Sequence, residues 1–207
     1  MTETVDMSAR NWKAVNTGIG DAVIDGEPAL RVVKGEAKRM RFDENTYARL
    51  PGEDFHNGTI EVRMRSRLLP DAPDFARGFI GIAFRIGEGD SEFESFYLRP
   101  TNAMTDDPVR RAHGCQYFAY PGYTFAYFRE YGIEGYEAPI DSGLDEWIAL
   151  KAVVREDEAA FYLNGAAEPT LAVRGLKHGS RARGGVGLFV DIGTEGFFRD
   201  LRITRED

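Results

Sequence analysis

The chain has 207 residues, with 26 Lys and Arg against 34 Asp and Glu, a formal charge of −8. A pI near 5.0 denies it the basic field that supplies sequence-independent affinity for nucleic acid, so no nucleic-acid partner is expected. With 43% hydrophobic residues it can bury a substantial single-domain core, while one cysteine, Cys115, excludes an intrachain disulfide, and His56, His113 and His178 lie too far apart for a zinc pattern.

The opening residues, MTETVDMSARNWKAVN, lack the apolar stretch of a secretory signal. No apolar run approaches the ~18 residues that span a membrane, so the expectation is a cytoplasmic protein with no membrane partner. From there the sequence reads as short β-patterned runs at 30–33, 39–42, 59–68, 79–86, 93–99, 115–120, 147–155, 159–163, 171–173, 186–191 and 197–204. In the third run Ile60, Val62 and Met64 alternate with Glu61, Arg63, Arg65 and Arg67, a strand with one wet side. In the fourth, Ile80, Ile82, Phe84 and Ile86 form an apolar face, and Gly81, Ala83 and Arg85 the other. Val186, Leu188 and Val190 repeat this pattern opposite Gly185, Gly187 and Phe189. Strand glycines of this kind mark either close approach of backbone or ligand, or a bulge. The segment 147–164 reads as a hairpin about a charged turn at Glu156 to Glu158. Many strands with turn chemistry between them and no helical stripe predict an all-β antiparallel sandwich or barrel.

The segment 101–145 is long and irregular, and residues 117–136 hold nine of the chain's 25 aromatic side chains. A loop of that length inside a compact domain is usually functional, and its aromatic content argues against disorder. Asp106 and Asp107 offer the oxygen chemistry of a structural Ca²⁺ site, on two adjacent acids alone; no other cofactor is expected.

The order GTIEVRMRSR, GFIGIAFR, FESFYLRPTN, DEWIALKAVVREDEAAFYLNG and GGVGLFVDIGTEGFFRDLRIT resembles the concanavalin A-like lectin and glucanase superfamily. More narrowly, it is similar to the bacterial domains named 3-keto-disaccharide hydrolase, also labelled family-16-glycosidase-like. The resemblance covers about residues 28–205 of a single domain spanning 1–207. It implies a jelly-roll sandwich of two curved antiparallel sheets whose concave face holds glycans. The Glu-x-Asp-x-Glu strand motif of family-16 glucanases is absent; only Glu92 and Glu94 in SEFES come near it.

Strand register decides what these residues can do. If Ile86 pairs with Glu92, then Glu94 faces Phe84 on the core side, and Arg85, Tyr97 and Arg99 share the open face. A one-residue slip or bulge instead sets Glu94 opposite Arg85. The expected ligand surface comprises Arg85, Tyr97, Arg99, Asn102 and Gln116 as hydrogen-bonding groups, with Tyr117, Tyr120 and Arg129 beside them. Such donors suit sugar hydroxyls, and rings suit apolar sugar faces. The leading expectation is therefore a carbohydrate or glycoside ligand on a jelly-roll protein. One alternative is a glycoside hydrolase-like enzyme using Glu94 with His113 as catalytic groups. Another is a non-catalytic interaction module that forms a homo-oligomer through its aromatic segment. A concave cleft with Arg85, Tyr97 and Gln116 around an open pocket would support ligand binding, and burial of those side chains in the core would sink that reading.

Overall fold

The computed structural model describes residues 2–206. Its strands in chain order are β1 (Thr2–Thr4), β2 (Lys13–Val15), β3 (Thr17–Ile24), β4 (Glu27–Lys34), β5 (Tyr47–Arg49), β6 (Asn57–Leu68), β7 (Ile80–Ile86) and β8 (Phe93–Leu98). They continue as β9 (Cys115–Tyr120), β10 (Glu137–Ala138), β11 (Ile148–Arg155), β12 (Glu158–Leu163), β13 (Leu171–Arg174), β14 (Gly185–Val190) and β15 (Thr194–Glu206). Three short helices, α1 (Pro100–Ala103), α2 (Pro108–Ala112) and α3 (Phe125–Glu130), lie in the long segment between β8 and β10.

Two antiparallel sheets pack as a jelly-roll sandwich. The first runs β13-β12-β11-β6-β15-β4-β3, with β1 beside β15; the second runs β10-β9-β8-β7-β14-β5-β2. The alternation seen in the sequence sets the facing. Ile60, Val62 and Met64 of β6 meet Ile80, Ile82, Phe84, Phe96 and Leu188 in the core between the sheets. Across that core Phe96 stacks on Phe161 with ring centroids 4.1 Å apart. Arg63 and Arg67 stay exposed on the far side of the first sheet, where Arg65 pairs with Asp25 at 2.7 Å and Arg67 with Glu195 at 2.6 Å. The predicted hairpin forms with Arg155 opposite Glu158, and Glu156 takes the turn at φ 51°.

Two expectations need correction. Residues 39–42 form no strand; the chain passes from a 3₁₀ turn at Glu36–Lys38 to Asp43 at φ 52°, which swings Phe42 away from the sheet. β3 escaped detection because Gly18, Gly20 and Asp21 interrupt its alternation and it stays half exposed, as an edge strand can.

The glycine floor of the second sheet is occupied by the protein's own atoms. A Cβ on Gly81 would meet the Phe96 carbonyl oxygen at 1.9 Å, and one on Gly187 would meet the Tyr47 ring at 3.0 Å. Over this floor Tyr47, Phe93, Tyr97, Phe118 and Phe189 form a second apolar cluster, each ring fully buried. The outer face of the sheet is thus mostly filled from within.

Lys34 closes the edge of that cluster. Its ammonium pairs with Asp191 in the β14–β15 connection, with the two side chains 3% and 1% exposed. Removing one partner of a buried pair strands the other charge. Lys34→Met should therefore lower unfolding free energy by about 3–5 kcal/mol in urea titration; a loss below about 1 kcal/mol would show that the pair does not hold the edge.

Candidate functional site

The outer face of the second sheet opens at one end only, where β8 leaves the sheet. Pro100 cannot continue the ladder, because it has no amide hydrogen. The chain turns there into α1, and Asp107 then caps α2 by accepting from the Val109 amide at 2.9 Å. The helix α3 contributes Phe125 and Arg129, and the segments carrying Phe42 and residues 75–79 complete the lining of a cleft of about 460 Å³, within the range of small-ligand sites. Phe42, Phe75, Phe79 and Phe125 line it together with Tyr97, Arg77, Arg99, Asn102, Arg110, His113 and Arg129.

The four phenylalanines form one cluster about Phe42, whose ring centroid lies 5.6 Å from Phe75, 5.8 Å from Phe79 and 5.4 Å from Phe125. Phe42 and Phe75 remain 36% and 39% exposed at the rim. Arg129 extends over the Phe125 ring at 5.2 Å, a cation–π contact that holds the guanidinium beside the apolar wall.

Beneath the surface, Arg99 organises the floor. It donates to the Tyr97 hydroxyl at 2.9 Å, to Glu137 Oε1 at 2.8 Å, to the His113 carbonyl at 3.2 Å and to Gln116 Oε1. Glu137 also accepts from Arg129 at 3.0 Å, and its Oε2 lies 2.8 Å from His113 Nδ1. Burial acts to raise the Glu137 pKa, but Arg99 and Arg129 outweigh it and hold the carboxyl below its usual range. Asp43 is the opposite case. Burial first, and then the negative charge of Asp191, push its carboxyl up to about 7. Its Oδ2 accepts from the Phe125 amide at 3.0 Å, while its Oδ1 is buried without a hydrogen bond.

The expected ligand set is split by the fold. Tyr97, Arg99, Asn102 and Arg129 line the cleft together with His113. Gln116 is buried below it, with Nε2 unpartnered. Tyr120 sits at the far end of β9, stacked on Phe93 at 5.2 Å. Arg85, Glu94 and Tyr117 are elsewhere. Phe84 pairs with Glu94, so Glu94 enters the core between the sheets, accepting from the Tyr117 hydroxyl and from the His178 amide at 2.9 Å. Burial raises its pKa against those interactions. Glu94 and His113 are therefore on opposite faces of the sheet, and no joint catalytic site forms. Arg85 departs from the open face because a bulge in the β7–β14 pairing and a φ of 53° turn it inward. There it donates to the carbonyls of His56 at 2.9 Å and Glu156 at 2.7 Å, tying the two sheets together. The anticipated ring of Arg85, Tyr97 and Gln116 about an open pocket does not exist.

The aromatic segment is spent largely on its own packing. Tyr117, Phe118, Phe128 and Tyr136 are buried, Lys177 Nζ lies 4.7 Å from the Tyr136 ring centroid, and Tyr131 alone of the nine rings is mostly exposed, at 64%. Asp107 serves as a helix cap, and among the described residues no three His, Cys, Asp or Glu side chains gather as a cation site.

Sequence reasoning missed Phe42, Phe75, Arg77, Arg110, Asp43 and Glu137. Phe42 ends the run 39–42 that reads as a strand, and Phe75 falls in a Pro-rich stretch without periodicity. Only their proximity to a predicted aromatic surface would have singled them out, and that proximity is set by long-range folding.

No family model matches the sequence, nor does any curated protein. Solved structures do match the fold. The carbohydrate-binding module CBM66 from Bacillus subtilis superposes with a TM-score of 0.59 at 14% identity, covering 96% of this chain and 98% of that one. A candidate glycosyl hydrolase from Parabacteroides distasonis gives 0.54 at 13% identity over 97% and 90%. A Bacillus subtilis protein of unknown function with a galectin-like fold gives 0.53 at 13% over 96% and 92%. At these identities the likeness establishes the fold alone, a jelly-roll sandwich of two antiparallel sheets.

The elevated pKa of Asp43 carries a pH signature. A carboxyl whose folded pKa lies above its unfolded value contributes stability at low pH, and that contribution disappears as pH rises through about 7. Asn at this position cannot ionise. The melting temperature of Asp43→Asn should thus gain on that of the wild type between about pH 5 and pH 8, and a pH-independent difference would show that Asp43 is ionised throughout.

Proposed function

We propose that the protein binds a carbohydrate or related polyhydroxylated ligand in the cleft at the end of the second sheet. The observation that carries this reading is the presence in one cleft of two partly exposed rings, Phe42 and Phe75, with the guanidinium groups of Arg77, Arg110 and Arg129. Sugar rings offer C–H faces to aromatic groups and hydroxyls to planar donors, so a site of this composition matches both halves of the ligand. The fold shared with a carbohydrate-binding module supports the same reading.

Binding without hydrolysis is favoured by the lining itself. Glycoside cleavage by the common route needs two carboxyl groups flanking the bond, whereas the cleft surface contains no Asp or Glu. Glu137 stands behind it, occupied by Arg99, Arg129 and His113.

A panel of mono- and disaccharides, followed by ligand-observed NMR and calorimetry, tests the assignment. Phe42→Ala and Phe75→Ala should each weaken the best ligand about tenfold, the scale of one lost ring contact, with Phe42→Ala also lowering the melting temperature because its ring packs on three others. Equal affinity in both variants would remove the cleft from consideration, and no binding across the panel would refute carbohydrate recognition.

A further inference from the structure

The cleft is strongly biased in charge, in a way that a site for neutral sugars does not require. Four guanidinium groups line it, from Arg77, Arg99, Arg110 and Arg129, and no carboxylate does. Glu137 balances Arg99 and Arg129 from behind. Arg77 and Arg110 have no such partner among the described residues. Arg77 donates only to backbone carbonyls, those of Asp74 at 2.8 Å and Ala76 at 2.9 Å. Arg110 makes two long contacts of 3.4 Å to Asn102 Oδ1. Each guanidinium carries five N–H donors, so both retain unused hydrogen-bonding capacity toward the cleft.

The like charges also act on one another. Arg77 has its pKa lowered by burial first, and then by the positive charges of Arg110 and Arg99. Like charges gathered in a cleft with no carboxylate on its lining repel one another. An oxyanion relieves that repulsion, because carboxylate, sulfate and phosphate oxygens match the planar fork of arginine bidentately. The acids near the cleft are otherwise engaged: Asp107 caps α2, and Asp43 faces the Phe125 amide from under the floor.

Resting on the reading of the cleft as a carbohydrate site, we propose that its ligand is an acidic sugar. Its oxyanion sits between Arg77 and Arg110, and its ring lies against Phe42 and Phe75. The charged group would be a uronic carboxylate, a sulfate ester or a phosphate ester, which share the chemistry the two arginines recognise.

Calorimetry with glucose, glucuronic acid, glucose 6-sulfate and glucose 6-phosphate separates these sources, with acetate and inorganic phosphate as anions lacking a ring. At least one acidic sugar should bind about tenfold or more tightly than glucose at low salt, and the advantage should shrink as added salt shortens the Debye length to about 3 Å near 1 M. In Arg77→Gln/Arg110→Gln the preference, read as the ratio of acidic-sugar to glucose affinity in the same variant, should fall to within about twofold. Arg110→Gln alone, at a half-exposed position, should lose part of the preference and guards against misfolding of the double variant. Glucose binding as tightly as every acidic sugar would overturn the inference and leave carbohydrate recognition standing. Acidic sugars binding no better than acetate or phosphate would overturn it by the other route, keeping an anion site and refuting recognition of the sugar ring. Failure of all acidic probes to bind refutes it outright.

Discussion

A relay of buried polar groups runs from one sheet to the cleft, and the site depends on it. Lys34 of β4 pairs with Asp191, whose second oxygen accepts from the Asp43 amide at 2.9 Å. Asp43 in turn accepts from the amide of Phe125, at the start of α3. The carboxyl of Asp43 lies close enough to the Tyr97 hydroxyl for each to perturb the other, and Tyr97 accepts from Arg99. Charges removed from water in this way are expensive unless every member finds a partner. The linkage therefore specifies where the 35–46 segment and α3 must lie. Those two pieces carry Phe42 and Phe125, half of the cleft's phenylalanine cluster. Asp43 is the member under most tension, since one of its oxygens has no hydrogen bond and a second buried carboxylate is its neighbour.

The location of the cleft follows from how the outer face of the second sheet is filled. Gly81 lies against the backbone of β8 at Phe96, and the room above Gly187 is taken by the Tyr47 ring, which packs with its aromatic neighbours. A ligand cannot displace rings that pack edge to face at 5.2–5.8 Å centroid separations without losing their burial. What remains open is the end of the sheet, where Pro100 turns the chain out of the ladder and the helices α1 to α3 build walls. Small residues on a strand face thus identified close approach correctly, although the approaching group is intramolecular.

How much of this was legible in the sequence varies with the range of the interactions involved. Period-two alternation located β6, β7, β11 and β14 and the buried face of each, because that pattern is local and repeated. The register between β7 and β8 stayed open in the sequence: pairing Ile86 with Glu92 sends Glu94 to the core, a one-residue slip sets it opposite Arg85, and only the structure selects Phe84 as its partner. Arg85 shows where such reasoning stops. Alternation puts it on the open face, but one residue in left-handed geometry reverses it, and no side-chain pattern announces that. Phe42, Phe75 and Arg77 lie outside any periodic element, so their convergence with Arg99 and Arg110 is visible only in three dimensions. Within the aromatic segment, density alone did not separate rings that stabilise the loop, such as Tyr117 and Tyr136, from the one that borders the cleft, Phe125.

The charge of −8 and the arginine-lined cleft describe different length scales of one electrostatic field. At a distance beyond about 8 Å in physiological salt, screening hides individual groups and an approaching anion senses little of either sign. Inside the cleft the nearest charges dominate, because the phenylalanine wall and the surrounding protein lower the effective dielectric and water screens less. Excess acid elsewhere on the surface, as on Asp54, Glu158 and Glu206, is exposed and partly neutralised by its own arginines. It therefore does not cancel the local potential. An acidic protein can hold a cationic site when the compensating carboxylates are kept off the site's lining, and here Glu137 behind the floor supplies only enough negative charge to anchor Arg99 and Arg129. Arg77 and Arg110 are left to act on whatever enters.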